Sequence, residues 1–189
     1  MDIGALLLAP GAGSDAQHRT LVALERALAP LPVRRMDFLY RKAGRKFPDR
    51  TPLLLAAVVE EAASLAAQSG VAPERILLGG RSLGGRMCSL AVAGGLAAAG
   101  LVLISYPLHP PGKPDRLRVE HFPQLRVPAL FVSGTRDAFG TPEELVGHTE
   151  AIAGPVTHEW LEGGRHDLGR VADDSAICAA VTGWIGANA

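Results

Sequence analysis

Short apolar runs alternate with longer helical patterns along almost the whole chain, and this alternation restricts the possible folds more than any other feature. Most of the runs are continuous, which is typical of parallel strands that helices cover on both faces. The sequence therefore predicts a doubly wound α/β domain with six parallel strands in the order 2-1-3-4-5-6. The predicted strands are Ile3–Ala9, Pro32–Tyr40 near an edge, Ile76–Gly79, Leu101–Ser105, Ala129–Ser133 and the alternating Val156–Leu161.

The segments between these strands carry helix signals. Ser14 or Asp15 is placed to cap a helix that runs to about Ala29, and Thr51-Pro52 opens a helix that runs to about Ser69. With 189 residues and no repeat or linker, the sequence predicts one domain over residues 1–189. Three further helices are predicted from Leu83 to about Ala93, from Thr141 to about Ile152 and from Asp173 to about Ala187.

Composition and charge argue against several classes of function. Nineteen basic and nineteen acidic side chains cancel, so no charge excess indicates a nucleic acid partner. Cys88 and Cys178 lie far apart, and no His/Cys cluster has metal-ligand spacing, so we expect free thiols, no metal and a reducing compartment. The N-terminal segment lacks a signal peptide's basic region, and a helix plus a strand explains the uncharged stretch Met87–Leu108 better than a membrane span. These features predict a cytoplasmic protein that does not bind a membrane.

The third predicted strand leads directly into Gly80-Arg81-Ser82-Leu83-Gly84, a Gly-x-Ser-x-Gly motif. Glycine is needed beside the serine where a strand turns sharply into a helix, because larger side chains would collide across the turn. Such a turn holds the serine hydroxyl above the carboxyl ends of the strands, where α/β sheets bind ligands. The helix that follows directs N–H groups at any nearby oxyanion. The motif predicts that Ser82 is a nucleophile in a strained turn.

A serine hydroxyl needs a base that accepts its proton, and the base needs a carboxylate that orients it. In this topology the expected chain order is Ser, then Asp or Glu, then His. Asp137 follows the fifth predicted strand and His166 follows the sixth, so both belong to the same edge of the sheet as Ser82. Asp115 and Asp167 are rival acids, but Asp115 precedes the fifth strand and Asp167 adjoins His166 itself. The sequence therefore predicts a catalytic set of Ser82, His166 and Asp137.

These motifs resemble those of the α/β-hydrolase superfamily over nearly the whole chain. The chain is most similar to a small branch that includes testis-expressed hydrolase-like proteins and a regulatory subunit of a chromatin acetyltransferase complex. The stretches that carry this resemblance are GGRSLGGRM, SYPLHPPGKPDRLR and VPALFVSGTRDAFGTPEEL. Dienelactone-hydrolase-like proteins are more distant and use cysteine where this chain has Ser82. The resemblance implies a reduced α/β-hydrolase fold with six strands instead of eight, and no cap domain, only the segment Tyr106–Val127, between the fourth and fifth strands.

An acyl-transfer site of this kind also needs an oxyanion hole made of two backbone N–H groups. One is expected from Leu83, directly after the serine, and the other from the loop after the first strand. In that loop Pro10 has no N–H, so Ala12 is the first choice, with Gly11 and Gly13 as alternatives.

Two more side chains are candidates for substrate contact, and for each the sequence leaves two roles open. His109 either contacts substrate or packs its own loop, and Arg81 either binds a ligand or forms a salt bridge inside the fold. Together these features predict a serine hydrolase that acts on a small ester, thioester or related acyl compound without a cofactor. The alternative is a catalytically silent hydrolase-like scaffold used for binding. The sequence leaves the oligomeric state open, a dimer included.

Overall fold

Six parallel strands form one sheet in the computed structural model, which describes residues 2–168 and 174–188. The strands are β1 (Ala5–Ala9), β2 (Val33–Arg35), β3 (Ile76–Arg81), β4 (Gly100–Ile104), β5 (Ala129–Gly134) and β6 (Val156–Leu161). They lie in the order β2-β1-β3-β4-β5-β6, and each neighbouring pair is parallel. The predicted strand number, order and direction are confirmed.

Helices cover both faces of this sheet. Within the described residues they are α1 (Arg19–Ala27), α2 (Leu39–Lys42), α3 (Thr51–Ser69), α4 (Leu83–Ala93), α5 (Pro142–Thr149) and α6 (Asp174–Asn188). Core residues of α1 and α6 share one apolar cluster, whereas those of α3, α4 and α5 share another. The predicted first residue of the last helix, Asp173, lies outside the described residues.

The two apolar clusters explain why the strand sequences are continuously apolar. Leu6 and Leu8 of β1 pack in the cluster of Leu21 and Trp184, whereas Leu7, between them, packs in the opposite cluster. Because side chains alternate between the faces of a strand and both faces are covered, every position of the central strands is buried except Arg81 at the end of β3. This burial leaves the carboxyl ends of the strands, and the loops after them, as the place for polar side chains.

The predicted start of the first helix is wrong. The helix α1 begins at Arg19 rather than after Ser14 or Asp15, and His18 is its N-cap. The ring Nδ1 of His18 accepts a hydrogen bond from the N–H of Thr20 at 3.3 Å. Ser, Thr, Asp and Asn are the usual N-cap residues, so a cap formed by an imidazole nitrogen escapes a search based on residue type.

The second strand is shorter than predicted. It spans only Val33–Arg35 and pairs with β1 alone, after which Leu39–Lys42 forms one helical turn. Burial nevertheless alternates over Met36–Tyr40, since Met36 and the stacked rings of Phe38 and Tyr40 are buried in the core whereas Leu39 is exposed. Alternate residues are thus buried here although the segment does not belong to a strand. A sequence pattern with a period of two does not distinguish this arrangement from a strand.

The chain between β4 and β5 forms no cap domain. Residues 105–128 contain one short 3-10 helix, Phe122–Gln124, and otherwise run irregularly. The uncharged stretch Met87–Leu108 consists mainly of α4 and the central strand β4, as predicted. Among the helices of residues 2–168 and 174–188, none has both the length and the apolar character needed to cross a bilayer.

Candidate active site

The turn between β3 and α4 forces Ser82 into a backbone conformation that favours glycine. Its φ is 50° and its ψ is −114°, and its N–H donates to the carbonyl of Ile104 at 2.9 Å. A Cβ on Gly80 would lie 2.0 Å from the Ala9 carbonyl oxygen, and a Cβ on Gly84 would lie 2.1 Å from the same atom. Both glycines of the motif are therefore required by the close approach of β1. The predicted strained turn at Ser82 is confirmed.

The structure brings Ser82, His166 and Asp137 into one chain of contacts. The Ser82 Oγ lies 2.9 Å from Nε2 of His166, and the His166 Nδ1 lies 2.8 Å from Oδ2 and 3.0 Å from Oδ1 of Asp137. Asp137 follows the end of β5 and His166 follows the end of β6, so adjacent strands deliver both to the sheet edge that carries Ser82. The acid behind the ring is Asp137, and neither Asp115 nor Asp167 takes that place.

Packing between two loops fixes the imidazole and the carboxylate. A Cβ on Gly134, the last residue of β5, would lie 2.2 Å from the carbonyl oxygen of Gly164 in the loop after β6. The N–H of Arg136, in the loop after β5, donates to the same carbonyl at 2.8 Å, so the two loops touch through their backbones. The buried Asp137 also accepts the N–H of Phe139 at 2.8 Å through Oδ1. The Phe139 ring stacks on His166, with the ring centroids 3.8 Å apart. These contacts hold His166 between Ser82 and Asp137.

Arg81 supports the same loop from the serine side. Its Nη2 donates to the main-chain carbonyl of His166 at 2.7 Å, and its side chain also lines the cavity described below. Burial lowers the pKa of Arg81, while the negative charges of Asp167 and Asp137 act in the opposite direction. The structure thus gives Arg81 a main-chain partner that neither of its two predicted roles included.

The loop after β1 lines the same cavity as Ser82 and contains a candidate backbone donor. The Ser14 N–H donates to the Gly11 carbonyl at 3.1 Å, which closes a turn with Ala12 and Gly13 at its centre. The N–H of the second residue in such a turn takes no part in the turn's own hydrogen bond. The Tyr40 hydroxyl donates to the Ala12 carbonyl at 2.9 Å and so holds the turn from below. Ala12 therefore keeps its N–H available.

Leu83 is a second candidate donor. It is the first residue of α4, and the first N–H groups of a helix have no intrahelical acceptor. Leu83 and Ala12 both line the cavity that contains Ser82 and His166. The helix dipole of α4 adds a partial positive charge at this end.

The cavity beside Ser82 has a volume of about 540 Å³, which suits a small molecule. Besides the residues already named, its walls include Pro107 and two arginines, Arg86 and Arg118. Sequence reasoning missed both arginines. Arg86 could have been found, because a position four residues after Ser82 lies one helical turn along the same face. Arg118 sits in an irregular segment, where no periodicity places a side chain.

His109 lies away from this cavity. Its buried ring contacts the Pro110 carbonyl through Nδ1 at 2.9 Å and the Glu144 carboxylate through Nε2 at 3.4 Å. Glu144 belongs to the capping box at the start of α5, together with Thr141. The structure therefore places His109 in the packing of its segment against α5. This is the second of the two roles that the sequence left open, and substrate contact is not supported.

No metal site accompanies these residues in the part of the chain that the structure describes. Across residues 2–168 and 174–188, no three or more His, Cys, Asp or Glu side chains are grouped so that they could hold a metal ion. The groups that form this site are a hydroxyl, an imidazole, a carboxylate, backbone N–H groups and guanidinium groups.

Comparison with known families agrees with this geometry. Residues 2–179 match the family described as the alpha/beta hydrolase domain. The chain belongs to this family. The match extends from before β1 into α6, so it contains each residue of the site described above.

Several solved structures share the fold of this protein. Est1E from Butyrivibrio proteoclasticus has a TM-score of 0.74 at 14% identity, over 99% of this chain and 89% of that one. A dienelactone hydrolase from Anabaena variabilis has a TM-score of 0.76 at 16% identity, over 98% and 86%. The esterase domain of a Rhodothermus marinus protein has a TM-score of 0.68 at 20% identity, over 97% and 86%. At these identities the similarity shows the fold alone.

Proposed function

We propose that this alpha/beta hydrolase is a serine hydrolase that cleaves an ester, a thioester or a related acyl compound. The observation that carries the proposal is the contact chain from Asp137 through His166 to Ser82, with distances of 2.8 and 2.9 Å. Both distances fall in the range in which a base can accept a proton and a carboxylate can orient it. The glycine-lined turn presents the Ser82 hydroxyl at the cavity, where an acyl group can reach it.

In the proposed reaction, Ser82 Oγ attacks the acyl carbonyl carbon while His166 Nε2 accepts the hydroxyl proton. Asp137 accepts the hydrogen bond from Nδ1–H, which keeps Nε2 free as the base and stabilises the imidazolium that forms. The carbonyl oxygen becomes an oxyanion, which accepts hydrogen bonds from the N–H groups of Leu83 and Ala12. His166 then gives its proton to the leaving oxygen or sulfur, and the acyl group stays on Ser82.

Water completes the cycle through a second addition and collapse, in which water is the nucleophile and the Ser82 oxygen is the leaving group. His166 removes a proton from a water molecule, whose oxygen attacks the acyl carbon held on Ser82. The new tetrahedral oxyanion uses the same two N–H groups, and its collapse releases the acid and returns the proton to Ser82 Oγ. No step requires a cofactor, because the base, the nucleophile and the oxyanion donors all come from this chain.

Two further features support this activity. The absence of a cap domain between β4 and β5 leaves the cavity accessible to a small or flexible acyl compound. Relatives of this fold include an esterase domain and a dienelactone hydrolase, and both names denote acyl hydrolysis. On the three stretches quoted above, we also place the chain near the testis-expressed branch of hydrolase-like proteins.

Labelling with a fluorophosphonate probe tests the proposal directly. Wild-type protein should react with the probe and hydrolyse at least one member of a panel of short 4-nitrophenyl esters and acyl thioesters. Ser82→Ala should lose the labelling and reduce turnover by about 10³-fold to 10⁶-fold, because no acyl-enzyme can form. Ser64→Ala, in α3, is the matched serine control and should behave as wild type. A wild-type protein that neither labels nor hydrolyses any of these compounds would favour the scaffold alternative.

A further inference from the structure

Positively charged side chains surround the nucleophile on the side of α4. Arg86 lies one helical turn beyond Ser82, and its N–H donates to the Ser82 carbonyl at 3.0 Å. Arg118 reaches the same cavity from the segment between β4 and β5. Both side chains are partly buried and line the cavity together with Ser82. Two guanidinium groups thus share a small space with the reactive hydroxyl.

The structure holds Arg118 in place rather than leaving it in solvent. The buried Tyr106 hydroxyl donates to the Arg118 carbonyl at 2.7 Å, and Arg118 Nη1 donates to the Pro107 carbonyl at 3.3 Å. Burial lowers the pKa of Arg118, and the positive charge of Arg86 lowers it further. Because both side chains line one cavity, their like charges repel each other there.

Neither arginine has a carboxylate partner among the described residues. The salt bridges within residues 2–168 and 174–188 include none at Arg86 or Arg118. The Nε of Arg86 is buried and has no hydrogen-bond acceptor within the described chain. Several other arginines of this protein do form salt bridges, as Arg35 does with Glu25 at 2.8 Å. Two unpaired like charges beside a nucleophile are what an anionic ligand would neutralise.

We propose that Arg86 and Arg118 bind an anionic group of the substrate, a carboxylate or a phosphate, while Ser82 attacks its acyl carbon. The inference rests on the proposed function and names the substrate class of the same site. A planar guanidinium donates two parallel hydrogen bonds to either anion. Since both arginines line the same cavity as Ser82, the anion and the scissile carbonyl belong to one small molecule. The cavity of about 540 Å³ limits the whole molecule to a small one.

Arg81 has a separate task in this arrangement. It also lines the cavity, and its Nε, like that of Arg86, is buried without a hydrogen-bond acceptor among the described residues. Its Nη2, however, donates to the His166 carbonyl, and the negative charges of Asp167 and Asp137 raise its pKa against the effect of burial. Its charge is therefore partly balanced within the protein. Arg86 and Arg118 are therefore the two arginines whose positive charge an anionic substrate neutralises.

A pair of matched esters tests the inference through a ratio. The first is 4-nitrophenyl hemiglutarate, whose acyl chain ends in a carboxylate, and the second is 4-nitrophenyl pentanoate, whose chain of equal length is neutral. Wild type should prefer the hemiglutarate in kcat/KM by about tenfold to a hundredfold, the value of a charge-assisted contact. Arg86→Gln and Arg118→Gln should each bring this ratio towards one, mainly through KM. The exposed Arg126→Gln is the matched control and should keep the wild-type ratio.

Direct binding separates failure of this inference from failure of the hydrolase proposal. If Ser82-dependent hydrolysis occurs but shows no preference for the hemiglutarate, the hydrolase proposal stands and the anion site is wrong. If no ester is hydrolysed, titration calorimetry with glutarate and with inorganic phosphate decides. Saturable binding that Arg86→Gln or Arg118→Gln abolishes would support the site, and the tighter of the two anions identifies its class. Absence of binding to both anions by folded wild type would overturn it.

Discussion

Replacing Ser82 by glycine, and separately by alanine, measures the strain in the turn that presents the hydroxyl. At φ 50° and ψ −114°, Ser82 has the conformation of the first central residue of a type II′ turn, a position dominated by glycine. A residue with a Cβ held in such a sparsely populated region costs about 1–3 kcal/mol. Both variants lose the hydroxyl and its contact with His166, so their difference isolates the backbone effect.

The expected difference follows from two opposing contributions. Glycine has more conformational freedom in the unfolded chain, which costs about 0.5–1 kcal/mol relative to alanine. At Ser82 the relief of about 1–3 kcal/mol exceeds that cost. Ser82→Gly should therefore be more stable than Ser82→Ala by about 1 kcal/mol, or roughly 2–4 °C in Tm for a chain of this length.

Urea and thermal unfolding of both variants, followed by circular dichroism, provide the measurement. Ser64, in the middle of α3, is the matched control site, and there glycine should be less stable than alanine by about 1 kcal/mol. The sign of the difference thus reverses between the two positions. If Ser82→Gly were also less stable than Ser82→Ala by the helical amount, the turn would carry no strain and the reasoning would be refuted.

Two further predictions concern the acid behind the imidazole and a buried histidine. Asp137→Asn should fold as wild type by circular dichroism yet lose about 10⁴-fold in kcat, because an amide does not hold the catalytic tautomer of His166; nearly full activity would contradict the role of Asp137. Burial and the positive charge of Arg86 lower the pKa of His121 to about 4. The unfolded chain therefore takes up this proton first, and stability is lost as pH falls from about 6.5 through about 4. His121→Gln should lose less stability than wild type between pH 7 and pH 4 in urea titrations, and equal losses would exclude His121 as a cause.

The positions of Ser82, Asp137 and His166 were predictable from local sequence. Each follows an apolar run, and the carboxyl ends of parallel strands all lie at one edge of the sheet. Knowing which strand a residue follows therefore says where it lies, even when 84 positions separate Ser82 from His166. Similarly, the glycines at positions 80 and 84 indicated the sharp turn, because a backbone that excludes side chains at a turn requires glycine at those positions of the sequence.

Other features depended on contacts between distant segments, which no short pattern records. The helix cap formed by His18 and the short second strand were mispredicted because residue type and periodicity are only averages over many environments. The packing of His109 against Glu144 required the start of α5 to lie beside the segment after β4.

The cavity itself was decided by tertiary structure. The sequence alone determined a parallel sheet, the edge at which its polar side chains gather, and the three residues that meet there. It did not determine that Arg118, from an irregular segment, would share a cavity with Arg86 from α4. The formal net charge of the chain is zero. Beside Ser82, however, Arg86 and Arg118 form no salt bridge with any carboxylate among the described residues. Net charge is a sum over residues, whereas electrostatic pairing depends on which residues the fold places within a few ångströms of each other.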